Sequence, residues 1–593
     1  MQEYKKNWDK KIITLRSIDL LFYITVIAIF GGILLYGRPI FAINDDLGLY
    51  NVLTGAYTKK PNAYVSFMEY PLSWGLAMLY RIWNSVPWYG IFLEGAILTC
   101  ALVGYRRCTV FLKKCNPQMV WMVALRILFC ASWLGMSLIP MLRLQYTVVA
   151  AVCGATALFL FVTSDDTNTA VGFIRQNIGT VMLALLAECI RPEMLFMLLG
   201  FAGVLWVGRL LYRLFVTKEY WLYIKRYLCV LGIFFVGLAV ILLSSHLAYG
   251  SVEWREFRKV DRCRVQLFDY YGYPSYDNNI DYFNEYEIDR LSYEAVAGQC
   301  LYAGRYLSLE QWEAIVKLAE KSHDDNQSLK DSVAKMMPLL HEWMQNDGIK
   351  PINQILVLWY ILCIGLVILY KSREGGALLV ATILAKMIIW AILIYRGRYP
   401  DRIVMSIFWM EFAVLSGIIL RVMVDRKEKV KPFGAIVAFL PLLLMIGYWD
   451  AEELYRIRHE YSSEQKEIWD GLKEYCYDHK DQLYIFVGGS NTIYYYYDTP
   501  FENLNQYENY ISVASGHTMN PNTTEKLAGW GITDLMEAIV MDNRIYLIFE
   551  EGKFDEQNPL IKYYQERYSN FWYEQVEIFE AGTTIYQVYR FGI

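Results

Sequence analysis

The first residues that could do chemistry are two adjacent carboxylates, Asp45 and Asp46, which directly follow the first long apolar segment of the chain. Charged side chains at the edge of hydrocarbon lose hydration, so carboxylates kept there indicate a functional site. A carboxylate can act as a general base that accepts a proton from an attacking hydroxyl. Its oxygens can also hold a divalent cation such as Mg²⁺ or Mn²⁺. The competing interpretation is a solvated charge that ends the apolar segment.

Two arginines lie near predicted ends of later apolar segments: Arg143, in Leu142-Arg143-Leu144, and Arg191, in Arg191-Pro192-Glu193. Guanidinium groups are costly in such places unless they meet an anion. The planar fork of arginine suits phosphate oxygens, which it can bind with two parallel hydrogen bonds. The alternatives are an arginine that reaches out to the headgroups and an internal pair between Arg191 and Glu193.

Three more arginines, Arg396, Arg398 and Arg402, lie in the short segment 395–402 between two apolar segments. They are predicted on the side of the membrane that is usually poor in Lys and Arg, so their presence there requires an explanation. A lipid-linked phosphate is one reason, and anionic lipid headgroups are another. The dipeptide Glu69-Tyr70 opens a second amphipathic stretch after the acidic pair, where Glu69 could orient a substrate or be a plain surface residue.

The composition decides which elements position these residues. The chain has 593 residues, 55% of them hydrophobic and only 20% charged, and its apolar runs reach about 18 to 23 residues, which is the length of a membrane-spanning helix. The sequence therefore predicts an α-helical polytopic membrane protein with a retained N-terminal anchor and about eleven spans. The predicted spans are 18–40, 88–105, 117–139, 144–163, 177–190, 193–211, 227–247, 353–371, 376–395, 402–421 and 434–449.

Lys and Arg gather in alternate loops, which predicts a cytoplasmic N-terminus and an outer C-terminal region. The domain organisation expected from this is a cytoplasmic tail, 1–17, a transmembrane domain, 18–450, and a small extracytoplasmic α/β domain, 451–593, with strand-like runs at 482–487, 545–549, 575–579 and 584–591. The transmembrane domain includes two outer loops, 41–87 and 248–352. The formal charge of −4 is not that of a nucleic-acid-binding protein.

A zinc site is not predicted, because the six histidines are scattered and no cysteine pair has C-x-x-C spacing. Whether another metal is needed stays open at this point. A divalent cation at Asp45 and Asp46 is the one arrangement that the residues suggest.

Together these motifs resemble the GT-C superfamily of polytopic glycosyltransferases, which use polyprenyl-phosphate-linked sugars. The resemblance covers about residues 15–450 and is greatest to its clostridial-type members, in which motifs such as Tyr70-Pro71-Leu72-Ser73 recur. It implies that Asp45 or Asp46 is the catalytic base. The residues implied to bind substrates are Glu69, Tyr70, Arg143, Arg191, Glu193, Arg396, Arg398 and Arg402.

The leading hypothesis is a glycosyltransferase of the bacterial plasma membrane. It would move a sugar from a polyprenyl-phosphate donor to an envelope glycan, lipid or protein on the outer face. A transporter or flippase of lipid-linked glycans is a second hypothesis, favoured by ionisable residues inside predicted spans: Glu94, Arg126 and Glu188. A third is a non-catalytic assembly protein, in which neither aspartate is needed for function.

Overall fold

A computed structural model gives the three-dimensional structure of the chain. It describes residues 2–593 except 115–118, 165–168, 219, 299, 325–333, 335–337, 340, 343–349, 426–443, 446, 453, 457, 460–462, 488–498, 503–506 and 514–515.

A bundle of long apolar helices makes up the larger part of the described chain. Its members are α1 (Gln2–Gly37), α4 (Trp88–Lys114), α5 (Met119–Leu142), α6 (Tyr146–Val162), α7 (Ala170–Ile190), α8 (Pro192–Tyr212), α9 (Tyr220–Ala248), α14 (Lys350–Tyr370), α15 (Arg373–Tyr395) and α16 (Asp401–Asp425). Eight of them are long and apolar enough to cross a membrane, while α6 and the apolar part of α5 are shorter. This confirms a multi-pass helical membrane protein.

Ten of the predicted spans coincide with these ten helices. The eleventh, 434–449, lies mostly outside the described residues. The stretch 177–211 forms two helices, α7 and α8, that are each 21 residues long. Arg191 separates them in an extended backbone conformation, and Pro192 begins the second helix, a position at which the missing N–H of proline costs nothing.

Helix α6 lies at the centre of the bundle and packs against α16 and α7. All of its residues except Phe161 are buried. Its sequence carries no charge and is rich in Ala and Val, with Gly154 against α8 and α16, and small residues allow neighbouring helices to approach closely. The N-terminus of α6 is therefore fixed in position, which matters because it borders the acidic pair.

One end of the bundle, here called the domain face, carries the loop 41–87, the loop helices of 249–324 and the C-terminal domain. The loops contain α2 (Asn44–Thr54), α3 (Tyr70–Ile82), α10 (Val252–Gln266), α11 (Ile280–Glu285), α12 (Arg290–Ala297) and α13 (Leu309–Asp324). Two short strands, β1 (Ile40–Phe41) and β2 (Arg143–Leu144), precede α2 and α6.

The C-terminal domain is a five-stranded mixed sheet with helices on both faces. Its elements are α17 (Ser463–Asp478), β3 (Leu483–Phe486), β4 (Tyr510–Ser512), α18 (Pro521–Ala528), α19 (Leu535–Met541), β5 (Ile545–Glu550), α20 (Pro559–Arg567), β6 (Trp572–Ala581) and β7 (Thr584–Gly592). The strand order is β4-β3-β5-β7-β6, with β4, β3 and β5 parallel and β7 antiparallel to both of its neighbours. The predicted α/β domain is confirmed.

Alternate residues of the central strands contact different layers. Tyr484 and Phe486 of β3 pack with α17, whereas Leu483 and Ile485 belong to the cluster that includes α19, α20 and the loop helices of 249–324. The loop helices of 249–324 and the C-terminal domain therefore share one hydrophobic core, because a β-strand points successive side chains to opposite faces.

A buried ion pair of the C-terminal domain contacts two residues of the first loop, Asn51 and Tyr57. The Lys526 ammonium is fully buried, 3.6 Å from Glu508 Oε2, and 4.2 Å from the centre of the Tyr57 ring. Asn51 of α2 donates a hydrogen bond of 2.5 Å to the same Glu508 carboxylate. Burial lowers the pKa of Lys526 to about 8, although the Glu508 charge opposes the shift.

The substitution Lys526→Met should destabilise the protein, because it leaves the Glu508 carboxylate buried without its cation. We expect the free energy of unfolding to fall by about 3 kcal/mol, the usual cost of breaking a buried pair from one side. Thermal unfolding of the purified protein measures this. Lys553→Met, at an exposed lysine of the same domain, is the control, and an equal melting temperature for the two variants would contradict a stabilising role for the pair.

Candidate active site

A short parallel pairing of β1 with β2 brings the acidic pair to the centre of the domain face. Ile40 is opposite Arg143 and Phe41 is opposite Leu144, and the Ala42 N–H donates a hydrogen bond of 2.9 Å to the Leu144 carbonyl. These strands directly precede the N-termini of α2 and α6. Asp45 and Asp46, in the first turn of α2, therefore lie beside the first residue of α6.

Asp46 is completely buried and connects three helices. Its Oδ1 accepts hydrogen bonds from the Tyr89 hydroxyl of α4, at 2.8 Å, and from the Tyr146 backbone N–H of α6, at 3.0 Å. The first N–H groups of a helix have no partner within the helix, and Gln145 at the N-cap of α6 supplies none from its side chain. Asp46 therefore caps α6 from a distant part of the chain.

Burial raises the pKa of the Asp46 carboxyl well above its usual range, although hydrogen bonds from Tyr89 and Tyr146 oppose the shift. Its Oδ2 has no hydrogen-bond partner among the described residues. Loss of hydration disfavours the charged form, and two hydrogen bonds compensate only in part. Burial and the engaged Oδ1 therefore favour the protonated form of Asp46, which suits a structural role better than that of a proton acceptor.

Asp45 differs from its neighbour because its carboxylate reaches solvent. Its side chain is 26% exposed, and the Arg402 guanidinium, itself 24% exposed, lies 3.9 Å from Asp45 Oδ2. One residue along a helix turns the side chain by about 100°, so Asp45 faces outward where Asp46 faces the core. A solvent-accessible carboxylate beside a cation is the arrangement that a general base next to an anion site requires.

Arg191 lies on the same side and is held by three partners. It donates to the Tyr146 hydroxyl at 2.9 Å, pairs with Glu193 at 2.8 Å and packs over the Phe67 ring at 5.1 Å. It is also within electrostatic range of Asp45. Arg191 therefore forms the internal ion pair with Glu193, and it also lies near the acidic pair.

The segment after α15 contributes Arg398, which forms an ion pair with Asp269 of the second loop and lies 5.4 Å from the centre of the Tyr270 ring. Arg396 is exposed. Arg143 lies half-buried in β2, one strand away from Ile40. Arg402 therefore contacts Asp45, and Arg191 lies within electrostatic range of it, while Arg398 belongs to the same segment as Arg402 and pairs with Asp269. The roles predicted for all five remain predictions.

Glu69 and Tyr70 lie at the start of α3, on a neighbouring part of the domain face. The Glu69 N–H donates to the Cys189 carbonyl at 2.9 Å, two residues before Arg191. Burial raises the pKa of the Glu69 carboxyl, while a hydrogen bond from Ser245 opposes the shift. The Tyr70 ring contacts the ring of Tyr64. Glu69 is thus coupled to the site through the segment that carries Arg191.

The described residues offer few ligands for the divalent cation predicted at Asp45 and Asp46, which stays a prediction. In the part of the chain that the structure describes, no three His, Cys, Asp or Glu side chains gather as a metal-binding group. One of the two candidate carboxylates, Asp46, is buried with its Oδ1 already engaged, and the other faces Arg402. Mg²⁺ usually keeps several waters and binds through one or two carboxylates and substrate phosphates, so such an ion would be held by Asp45 and a substrate phosphate, and the reaction proposed below assigns it no step.

Three residues of the site were not predicted from the sequence: Tyr89, Tyr146 and Asp269. Tyrosine at the end of an apolar span has an ordinary explanation in the aromatic belt, so nothing distinguished the first two. The arginines at 396–402 gave a usable signal for the third, because a cluster of arginines requires acidic partners, and Asp269 lies in the outer loop expected on the same side.

Comparisons with known proteins add little to this geometry. No protein-family model and no curated protein matches the chain. Among solved structures, ArnT from Cupriavidus metallidurans bound to undecaprenyl phosphate matches with 9% identity and a TM-score of 0.36, over 97% of each chain. The apo structure of the same protein matches with 9% identity and a TM-score of 0.37, over 96% of this chain and 97% of that one. Scores of this size carry no argument about this chain.

Asp46→Asn should change how the stability depends on pH. In wild type, the folded state holds the Asp46 proton to a higher pH than the unfolded state does, so the stabilisation is complete at low pH and is lost as the pH rises toward the raised pKa. Asparagine resembles the neutral acid but cannot ionise. We therefore expect the melting temperature of the variant, relative to wild type, to increase between pH 5 and pH 8.

Thermal unfolding in matched buffers measures this difference. Asp281→Asn, at an exposed carboxylate of α11, is the control and should follow wild type across the range. A difference between Asp46→Asn and wild type that is constant or shrinks with pH would show that Asp46 is ionised in the folded protein.

Proposed function

We propose that this chain is an integral membrane glycosyltransferase of the GT-C type. It transfers a sugar from a polyprenyl-phosphate donor to a cell-envelope acceptor at the domain face. The pattern of Lys and Arg along the sequence supports a cytoplasmic N-terminus and an outer domain face. The observation that carries the proposal is the solvent-accessible Asp45 carboxylate 3.9 Å from the Arg402 guanidinium, at the mouth of an apolar helix bundle.

In the proposed reaction, Asp45 accepts the proton of an acceptor hydroxyl as that oxygen attacks the anomeric carbon of the sugar. A bond forms between the acceptor oxygen and this carbon, the bond to the phosphate oxygen breaks, and polyprenyl phosphate leaves with the electron pair. Arg402 and Arg398, with Arg191 behind them, stabilise the charge that develops on the departing phosphate. Each arginine has five N–H donors, so it can bind phosphate while it keeps its carboxylate partner.

Asp46 takes no proton in this scheme and acts as a positioning residue. Its bonds to Tyr89 and Tyr146 hold the first turn of α2 against α4 and α6. Asp45 extends from that same turn, so its direction depends on them. The apolar helices that end at this face supply the surface for the polyprenyl tail, since a lipid chain and a membrane helix share the same apolar surroundings.

The transporter hypothesis is favoured by ionisable groups within the helices. Lys386 of α15 pairs with Glu411 of α16 at 3.0 Å, and the Tyr360 hydroxyl donates to the same carboxylate at 2.6 Å. Neither oxygen of Glu94 has a hydrogen-bond partner among the described residues. Such groups can belong to an ion pathway. The contacts of Lys386 and Tyr360 to Glu411, however, join three helices, which is also what a structural pair does, and Glu411 Oε1 has no hydrogen-bond partner among the described residues.

Asp45→Asn should reduce sugar transfer by about 10²- to 10⁴-fold, the usual contribution of a general base, with little change in donor binding. The assay incubates purified protein in lipid with a panel of radiolabelled polyprenyl-phosphate sugars and an envelope extract as acceptor. Asp281→Asn is the control and should retain wild-type turnover. Because no step passes through a metal, we expect the same turnover with EDTA present.

Two outcomes would overturn the proposal. Equal turnover by wild type and Asp45→Asn would remove the base and leave a non-catalytic role. Movement of an intact lipid-linked sugar across a proteoliposome membrane, without cleavage of its phosphate bond and with loss of movement in Glu94→Gln, would identify a transporter instead.

Arg402→Gln should lower turnover by about 10²- to 10³-fold, because a donor to the leaving phosphate is lost from the transition state. Arg402→Lys should recover part of the rate, since it keeps the charge but not the bidentate geometry. Single-turnover kinetics with a saturating donor separates this effect from binding. Arg373→Gln, at an exposed arginine at the start of α15, is the control, and equal rates for the two glutamine variants would exclude a role in phosphate departure.

A further inference from the structure

A separate cleft opens on the domain face beyond the acidic pair. Its volume is about 880 Å³, and its walls come from the first loop, from α10, from the segment 304–307 and from α18 of the C-terminal domain. None of the residues around Asp45 described above lines it. Clefts of this size bind small molecules, and the proposed reaction assigns this one no role.

One wall of the cleft is aromatic. The Trp254 ring stacks on the Tyr64 ring, with centres 5.7 Å apart and an angle of 20°, and meets the Phe257 ring edge-on. Trp254 and Phe257 are buried, whereas Tyr64 is half-buried. An aromatic face carries negative charge density and attracts the weakly positive C–H groups of a flat ring. A pyranose presents C–H groups of this kind on its faces.

Several donor groups around the cleft are already engaged, although the Lys60 ammonium is exposed. Two nitrogens of Arg81 donate to the Pro61 carbonyl at 3.2 and 3.1 Å, and Arg305 donates to the Tyr302 hydroxyl at 3.1 Å. Asn522 donates to the Tyr64 carbonyl at 2.7 Å. These bonds make the wall rigid, and they leave few donors for a ligand.

The acceptor groups are not engaged. Three exposed carboxylates line the cleft, Glu253, Glu256 and Glu525, and no hydrogen bond or ion pair joins their side chains to another described residue. Together with the basic residues Lys60, Arg81 and Arg305 they give the lining a formal charge of zero. A neutral ligand rich in hydroxyl donors fits this arrangement better than a polyanion or a polycation does, since charged ligands require a surface of the opposite sign.

The cleft is coupled to the candidate active site through one segment of the first loop. The Tyr64 ring contacts the Tyr70 ring at 5.5 Å, and the Tyr249 hydroxyl donates to the Val65 carbonyl at 2.7 Å. The segment then continues to Glu69, whose N–H donates a hydrogen bond to the carbonyl of Cys189, two residues before Arg191. The segment between the cleft and Arg191 is therefore held at both ends by contacts of the protein itself.

We propose that this cleft binds a neutral oligosaccharide, the carbohydrate part of the acceptor, with C–H faces against Tyr64 and Trp254 and hydroxyls donating to the three glutamates. This identification of the ligand as the acceptor rests on the proposed function. The proposed binding itself does not depend on that function, because the cleft contains no residue of the candidate active site.

The test measures binding of fluorescein-labelled tetrasaccharides, built from hexose or from N-acetylhexosamine units, to the full-length protein in lipid nanodiscs by fluorescence anisotropy. We expect saturable binding of at least one probe. The triple variant Glu253→Ala, Glu256→Ala and Glu525→Ala should weaken it by about 10-fold or more, since charge-assisted hydrogen bonds are lost. Glu310→Ala, at an exposed glutamate of α13, should bind as wild type does, and so should Asp45→Asn.

The outcomes separate the two proposals. Binding by wild type and Asp45→Asn, with loss in the triple variant, supports the cleft even if no polyprenyl-phosphate sugar is consumed. No saturable binding of either tetrasaccharide, or equal binding by the triple variant, overturns it even if transfer is observed. Binding of a labelled tetralysine peptide in place of both sugars also overturns it, because the carboxylates would then serve a cationic partner. Melting temperatures of all variants check that they are folded.

Discussion

The candidate site depends on the burial of one carboxyl group, that of Asp46. Placing it in the core costs free energy unless hydrogen bonds replace its water, and the Tyr89 hydroxyl and the Tyr146 N–H supply two. Both donors would be unsatisfied in the core without it. The bonds therefore fix α2, α4 and α6 relative to one another. They also position Asp45, because it belongs to the same helical turn as Asp46.

The arginines around Asp45 show a second regularity, which is that each has an acidic partner. Arg402 has Asp45, Arg191 has Glu193, and Arg398 has Asp269. These pairs hold the cations near a low-dielectric region when no anion is bound. A phosphate that enters would find guanidinium groups already oriented, which lowers the ordering cost of binding.

Hydropathy predicted the helix bundle well, because span length and composition are local properties of the sequence. The division at Arg191-Pro192 was also visible, since proline marks the start of α8. The choice between Asp45 and Asp46 was not visible, because it depends on partners 43 and 100 residues away in the chain. The break between α18 and α19 is a local feature of the sequence, since Gly531 between them has a φ of +75° that few other residues adopt.

Helix α2 is held at both ends, which links the C-terminal domain to the site. At its first turn Asp46 bonds the membrane helices, and toward its last turn Asn51 bonds Glu508 of the C-terminal domain, beside the buried Lys526. The helix has only 11 residues, about 16 Å at 1.5 Å per residue, and its hydrogen bonds make it stiff along its axis. A displacement of the domain would therefore shift Asp45 relative to Arg402, so the domain is part of what positions Asp45.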